Sequence, residues 1–503
     1  MLSSFGQRGR AGADDNPLQA PRQGGDMGSQ VALPLWAVII AAFLAALAVI
    51  DRILMPSMRW ALRRRANRAI DELNTHLRLH IQPFKLTKRQ VLTDRLVFDP
   101  EVLHAADEYA REAGVPREVA MEKVKRYADE IVPSFSAYAY FRIGTRIARS
   151  ISQMLYRVRI GYRNDDALAA VDPASSVIFV INHRSNMDYV LVTYVAATSS
   201  ALSYAVGEWA QVWGLRGLIK SMGAYFISRD SREPLYRKVL ARYVHMATAA
   251  GVTQAIFPEG GLSRDGRLRP PKFGLLSYMV ASFDPHGPRD VVFIPVAVNY
   301  DRVLEDRMLT SAANTEPGKK PGFGFNAAVF ARHFFRHVGM ALRGEWHRFG
   351  YTCVSFGEPV SLRKYVAEAN IDFRTLAPEP RHAEIERLGH RLMEAVGRVV
   401  PVLPVSLVST AMLEAGENPL SLLDIKQRVS NLIEELEGRG CYVHIPRADR
   451  DYAISVGLRM LTLRRLVLEV DGNYRANPNE LILLQYYANA IVHLFEHAAK
   501  PAA

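Results

Sequence analysis

The sequence predicts an α/β domain, a central and mostly buried sheet flanked by helices, with helical N- and C-terminal regions and one N-terminal transmembrane helix. Three observations carry that reading. Between about residues 170 and 360, short β-rich apolar runs alternate with helical stretches, as in a sheet covered on both faces. Before residue 160 and after residue 400 the apolar spacing is helical. Residues 31–50, VALPLWAVIIAAFLAALAVI, form twenty consecutive uncharged positions.

In chain order, residues 1–30 are rich in Gly, Gln and Pro, lack an apolar period and read as a disordered tail. Segment 31–50 would rise about 30 Å as a helix, enough to cross a bilayer core. Arg52, Arg59, Arg63, Arg64, Arg65 and Arg68 follow it, against Arg8, Arg10 and Arg22 before it. The positive-inside rule then predicts a single-pass membrane protein with everything after residue 51 in the cytoplasm. A helical region takes 51–160. Within it, DPEVLHAADEYAREAG (99–114) has a Pro near its start and a Gly at its end, as helix boundaries do. YFRIGTRIARSISQMLYRVRI (140–160) places Ile143, Ile147, Ile151, Met154, Leu155 and Val158 on one stripe, with Arg142, Arg146, Arg149, Arg157 and Arg159 around it. Such a basic amphipathic helix packs on the next domain or lies in a membrane interface. In 161–400, SSVIFVIN, TQAIFPE, VVFIPVAVNY and TCVSFGE read as buried strands, and TEPGKKPGFG (315–324) as a loop. From 401 to 503 the spacing of NPLSLLDIKQRVSNLIEELEGRG and NELILLQYYANAIVHLFEHAA is helical again.

A net charge of +12 over 503 residues points to anionic partners: nucleic acid, a membrane surface or phosphorylated substrates. No nucleic-acid recognition motif supports the first, and the predicted anchor argues against it. Cys353 and Cys441, the only cysteines, provide neither a disulfide framework nor a cysteine zinc site. His333/His337 and His493/His497 are four apart, but no H-E-x-x-H accompanies them, so they read as packing or surface residues and no metal is expected.

The chemistry concentrates in FVINHRSNMDYVLV (179–192), where an apolar run ends in His183, Arg184, Ser185, Asn186 and Asp188. On a regular helix, positions five apart stand about 140° around the axis, so His183 and Asp188 would not meet. They meet if His183 sits on a loop after a strand and Asp188 lies in the first turn of the next helix, capped by Ser185 or Asn186. The helix N-terminus would then offer backbone N–H donors to an anion or a developing oxyanion. The carboxylate would fix the imidazole tautomer and leave the other nitrogen to accept a proton. There is no G-x-S-x-G elbow, since Gly261-Leu262-Ser263-Arg264-Asp265 lacks the final glycine, so the activated hydroxyl is expected to belong to a substrate. GAYFISR (223–229), FPEGGLSRDGRLRPPKFG (257–274) and FIPVAVNY (293–300) add basic and glycine-rich turns next to further strands.

In this order the blocks resemble the glycerolipid acyltransferases with an H-x4-D motif, most closely the glycerol-3-phosphate acyltransferase family. Its signatures HRSxMDYxLL, GAFFIRR, FVEGGRSRTGRLLPPKTG and IPVYIGYE stand here as HRSNMDYVLV, GAYFISR, FPEGGLSRDGRLRPPKFG and IPVAVNYD. VSFGEPVSL (354–362) and LLQYYANAIVHLF (483–495) are also similar, so the resemblance runs from about residue 95 to 497. It implies an α/β acyltransferase domain in a membrane-bound glycerol-3-phosphate 1-O-acyltransferase. The co-substrate would be an acyl-CoA or acyl carrier protein thioester and the product lysophosphatidic acid, with no further cofactor. His183 would be the general base and Asp188 its orienting partner. Gly260 would be part of the site, and Arg229, Glu259, Ser263 and Arg264 fall on the family's glycerol-phosphate positions. Arg184, Ser185, Phe226, Ile227 and Pro295 join them as expected substrate-binding residues, and an anionic membrane surface is the expected partner. Leu262 departs from the pattern, which has Arg there; either Arg184, Arg264, Arg267 or Lys272 compensates or the acceptor differs. The alternatives are a lysophosphatidic acid acyltransferase and a non-catalytic lipid-binding membrane protein.

Overall fold

The computed structural model describes residues 81–196, 201–207, 215–227, 233–313 and 348–496. The tail 1–30, the predicted spanning segment 31–50, Arg229, the loop 315–324, His333, His337 and His497 lie outside them. Among the described residues, no helix is long and apolar enough to cross a membrane.

The strands are β1 (Arg157–Arg163), β2 (Ser176–Ile181), β3 (Ser203–Gly207), β4 (Tyr225–Ile227), β5 (Gln254–Ile256), β6 (Val291–Tyr300), β7 (Tyr351–Phe356) and β8 (Val360–Ser361). They form one mixed sheet in the order β1-β7-β6-β2-β5-β3-β4, with β8 also on β6. From β6 through β2, β5 and β3 to β4 every pairing is parallel, while β7 and β8 run antiparallel to β6. Both β2 and β6 are buried along their whole length, as their unbroken apolar runs require.

Alternate side chains of a strand face opposite sides. Val177, Phe179 and Ile181 of β2, with Ile294, Val296, Val298 and Tyr300 of β6, enter one core; Ile178, Val180, Val291, Phe293 and Ala297 enter the other. Among the flanking helices are, in order, α1 (Arg89–Val97), α2 (Pro100–Ala113), α3 (Arg117–Ile131), α4 (Thr145–Leu155), α5 (Met187–Ala196), α6 (Pro234–Ala249), α7 (Pro378–Arg398), α8 (Pro404–Glu414), α9 (Leu422–Gly438), α10 (Arg450–Leu463) and α11 (Leu481–Ala488). α1, α2, α3, α6 and α7 fill the second core, and α4, α5 and α8 to α11 fill the first. The boundary signals of 99–114 act as read: the Asp99 side chain accepts from Glu101 N, and Gly114 ends α2 in the left-handed conformation.

The C-terminal helices thus share a core with the sheet. That region also holds a small antiparallel sheet, β9 (Leu420–Ser421), β10 (Val467–Val470) and β11 (Asn473–Ala476), absent from the helical reading of 401–503. A second correction concerns 140–160. The helix stops at Leu155, after a π-helical turn at Ala139–Gly144, and Arg157–Arg163 becomes β1, paired in parallel with β7. RVRIGYR alternates with period two, and that edge pairing overrides the helical stripe through Val158. Ile151 and Met154 pack on the core, whereas Ile143 and Ile147 are exposed.

Pro295 lies within the central strand β6, where a missing N–H would normally cost a ladder bond. Its carbonyl accepts from Gly357 N at 2.8 Å, so its nitrogen faces the turn between β7 and β8, where no partner carbonyl is paired to it.

The loop after β5 is seated on α11. Gly266 has φ +86°, a Cβ there would lie 1.9 Å from Tyr486 O, and Asn489 Nδ2 donates to Asp265 O at 2.8 Å. Gly266→Ala is therefore expected to cost on the order of 2 kcal/mol, from backbone strain and lost docking together, read as a lower urea midpoint.

Candidate active site

Because β2, β4, β5 and β6 are parallel, their C-terminal ends lie on one edge, where open α/β sheets build sites. The loop leaving β2 carries His183 to Asn186, and α5 starts at Met187, so Asp188 falls in its first turn. His183 Nδ1 lies 2.9 Å from Asp188 Oδ2. The same oxygen accepts from Arg184 N at 2.8 Å and Ser185 N at 3.0 Å, while Oδ1 accepts from Tyr300 OH at 2.6 Å. Asp188 is fully buried and His183 is 5% exposed. With Nδ1 donating to the carboxylate, Nε2 is the nitrogen left to accept a proton. The imidazole lies against Phe257, with ring centroids 4.4 Å apart, and meets Tyr189 edge-on at 5.4 Å.

The loop after β5 holds the backbone of His183 from the other side. His183 N donates to Glu259 Oε1 at 3.1 Å, and Ser263 N donates to His183 O at 3.0 Å. Glu259 Oε2 accepts from Arg269 N at 3.3 Å. Burial pushes the Glu259 carboxyl up to about 8, outweighing the two N–H donors and the nearby Arg184 charge. Gly260 follows in the left-handed region at φ +63°, and a Cβ there would lie 2.6 Å from Lys272 Cδ.

The expected donors at the head of α5 are already occupied. Arg184 N and Ser185 N are taken by Asp188, Asn186 N donates to Glu305 Oε1 at 2.7 Å, and Met187 N to Ser185 Oγ at 3.1 Å. Ser185 Oγ itself donates to Glu305 Oε2 at 2.9 Å. Two carboxylates and a hydroxyl of the protein satisfy this helix N-terminus, so in this arrangement it presents no free anion site; the expectation is corrected.

The other predicted residues are spread more widely. Arg184 is buried; its Nη1 donates to Gly266 O at 2.9 Å and its guanidinium lies over the Tyr486 ring, 5.3 Å from the centroid. Its Nε and Nη2 have no hydrogen-bond partner among the described residues. Ser263 Oγ donates to Arg267 O at 2.7 Å, closing the loop on itself, and Arg264 is exposed. Leu262 is half-buried and packs against the first core. Phe226 and Ile227 lie in β4, three strands from β2, with Phe226 opposite Val206. Pro295 pairs with Val180, inside the sheet, and His493 Nε2 lies 3.1 Å from Gly397 O. Tyr300 and Glu305 were missed: they reach the loop from 112 and 120 residues away, and only the end of the FIPVAVNY block pointed near them.

Comparison with known proteins gives first a class. Residues 159–299 match the family model described as Acyltransferase, the segment holding β2 to β6 and the dyad. Residues 338–502 match the model for the glycerol-3-phosphate acyltransferase C-terminal region. The glycerol-3-phosphate acyltransferase of Pseudomonas syringae pv. syringae is 27% identical over 449 residues, covering 83% of this chain and 51% of that protein. The enzyme of the same name from Pseudomonas fluorescens is also 27% identical, over 439 residues, with the same coverage. A solved structure, the 1-acyl-sn-glycerophosphate (LPA) acyltransferase PlsC from Thermotoga maritima, aligns with 61% of this chain and 98% of its own at 17% identity, with a TM-score of 0.27. The chain thus carries an acyltransferase domain and a glycerol-3-phosphate acyltransferase C-terminal region, and it spans about half the length of the curated relatives it matches.

Glu259 makes stability depend on pH in a set direction. Its folded value of about 8 stands above the ordinary 4.5, so the folded chain holds a proton that the unfolded chain releases. That contribution is complete below about 4.5 and is lost as pH rises through about 8. Glu259→Gln should flatten the fall of unfolding free energy with pH between those values, measured by urea titrations across the interval.

Proposed function

We propose that this chain is a membrane-bound glycerol-3-phosphate 1-O-acyltransferase that makes lysophosphatidic acid. The observation that carries the reading is a buried His–Asp pair with, among the described residues, no protein hydroxyl poised as its nucleophile. Ser185 Oγ is committed to Glu305 and Met187, and Ser263 Oγ to Arg267. The hydroxyl to be activated then belongs to the acceptor, as the likeness to glycerol-3-phosphate acyltransferases suggests.

His183 Nε2 takes the proton of the 1-hydroxyl as that oxygen attacks the thioester carbonyl of an acyl-CoA or acyl carrier protein. The C–S bond breaks, and the departing thiolate recovers the proton from the imidazolium. General-base catalysis of this kind contributes about 10²–10⁴-fold. Asp188 holds the ring and stabilises its transient positive charge. With Arg184 buried beneath Tyr486, the acceptor phosphate falls to exposed cations of the loop after β5, Arg264 and Lys272 first, joined by Arg229. The oxyanion is stabilised by donors other than the head of α5. Segment 31–50 anchors the chain in the cell (inner) membrane with the site on the cytoplasmic side. Lys and Arg at the anionic leaflet add about 1 kcal/mol each.

The test is acyl transfer by membranes containing the protein, with labelled glycerol 3-phosphate and either thioester. Label should appear in lysophosphatidic acid, and His183→Ala should lose at least about 100-fold in rate while keeping its fold and membrane attachment. Activity of that variant within about tenfold of wild type would sink the general-base assignment. Product formed only when lysophosphatidic acid is the acceptor would overturn the choice of substrate. Arg264→Ala should raise KM for glycerol 3-phosphate about tenfold and leave kcat nearly unchanged, as expected for a contact to the non-reacting phosphate.

A further inference from the structure

The second oxygen of Asp188 is where the catalytic loop depends on a distant residue. Oδ2 carries three contacts, all from its own loop: His183 Nδ1, Arg184 N and Ser185 N. Among the described residues the donor to Oδ1 is Tyr300 OH, at 2.6 Å, the short distance of a hydroxyl bonded to a carboxylate. Tyr300 is the last residue of β6, fully buried, and its ring packs against Tyr156 with centroids 5.3 Å apart. The hydroxyl therefore arrives on a rigid central strand.

We infer that Tyr300 is a positioning residue of the dyad, fixing the rotation of the Asp188 carboxylate and, by withdrawing charge from it, limiting the basicity of His183. The inference rests on the reading of His183 as general base. A carboxylate held only at Oδ2 can rotate about its Cβ–Cγ bond, and the Nδ1 contact turns with it. A phenol on Oδ1 removes that freedom. It also shares the negative charge that stabilises the imidazolium, so a stronger donor at Oδ1 makes His183 a weaker base and a weaker donor makes it a stronger one.

The charged and titratable groups around the pair, besides Tyr300, come from six elements. Arg184 belongs to the loop itself, Tyr189 lies on α5, Glu305 follows β6, Tyr156 follows α4, Glu259 follows β5 and Tyr486 lies on α11. Burial raises Glu305 as well as Glu259, and holds Tyr300 far above its ordinary value, so the phenol keeps its proton throughout the working range. Hydrogen bonds tie Glu305 to Ser185 and Asn186, and Glu259 to His183 N and Arg269 N, leaving the Oδ1 side to Tyr300.

The experiment compares Tyr300→Phe with site-specific 3-fluorotyrosine at 300, a stronger donor of nearly the same shape, in membranes containing the full chain. For Tyr300→Phe, kcat should fall about tenfold with both KM values within about twofold. The acid limb of kcat/KM should move to higher pH by about half a unit or more, because the unshared carboxylate favours the imidazolium. The fluorinated variant should keep most of kcat and move the limb to lower pH. A merely structural tyrosine would lower the melting temperature of the Phe variant and leave both limbs in place; that result overturns the inference. Limbs moving in the same direction in both variants would overturn it too. If the Phe variant does not fold, the direction of the fluorotyrosine shift decides. His183→Ala serves as control: inactive beside an unaffected Tyr300→Phe, it overturns this inference alone, whereas an active His183→Ala removes the base assignment and the inference with it.

Discussion

A carboxylate without solvent exposure is costly unless each oxygen finds donors, and Asp188 meets that condition by shaping everything near it. Two of its donors are the N–H groups of Arg184 and Ser185, four and three residues back, so the chain must curl around the carboxylate as it leaves β2. That curl brings the His183 ring within reach of a residue five positions on, which a continuous helix would not do. The dyad is therefore a product of burying Asp188 at the head of α5. Two more buried carboxyl groups act on the same loop: Glu259 takes the N–H of His183, and Glu305 takes Asn186 N and the Ser185 hydroxyl. Carboxyl groups from three separate segments thus hold the loop in one shape.

The C-terminal helices belong to this arrangement. Arg184, next to His183, rests on Tyr486 of α11, and Gly266 of the loop gripping His183 touches the backbone of the same residue. Asp306, just beyond β6, is bonded by Tyr487 and Arg464. Asp301 accepts from Tyr351 N at 2.7 Å and from Val405 N at 3.1 Å, joining β6 to β7 and to the start of α8. Burial pushes its carboxyl up to about 7. The helices after residue 400 thus support the catalytic edge from behind, through the same core that takes the inward side chains of β2 and β6.

The surroundings of His183 are mainly apolar. Phe257 lies against its face and Tyr189 meets it edge-on. An apolar wall strengthens the Nδ1 contact with Asp188 by excluding competing water. Leu262, where the resembling pattern has a charge, packs against the first core instead.

The sequence by itself determined the local parts. Unbroken apolar runs marked β2 and β6, and a polar burst directly behind a buried strand marked the loop with its His–Asp pair. These follow from contacts within a few residues, where spacing and residue type are sufficient. The structure alone decided what those groups touch across the chain. Tyr300 and Glu305 complete the site from 112 and 120 residues away, Arg184 turns into α11, and the donors at the head of α5 are satisfied internally. The end of α4 at Leu155 was also decided there, since β1 gains its ladder only once β7 lies beside it. Such partners carry no periodicity and no fixed spacing, so only the folded sheet, which brings the ends of β2, β5 and β6 to one edge, makes them neighbours.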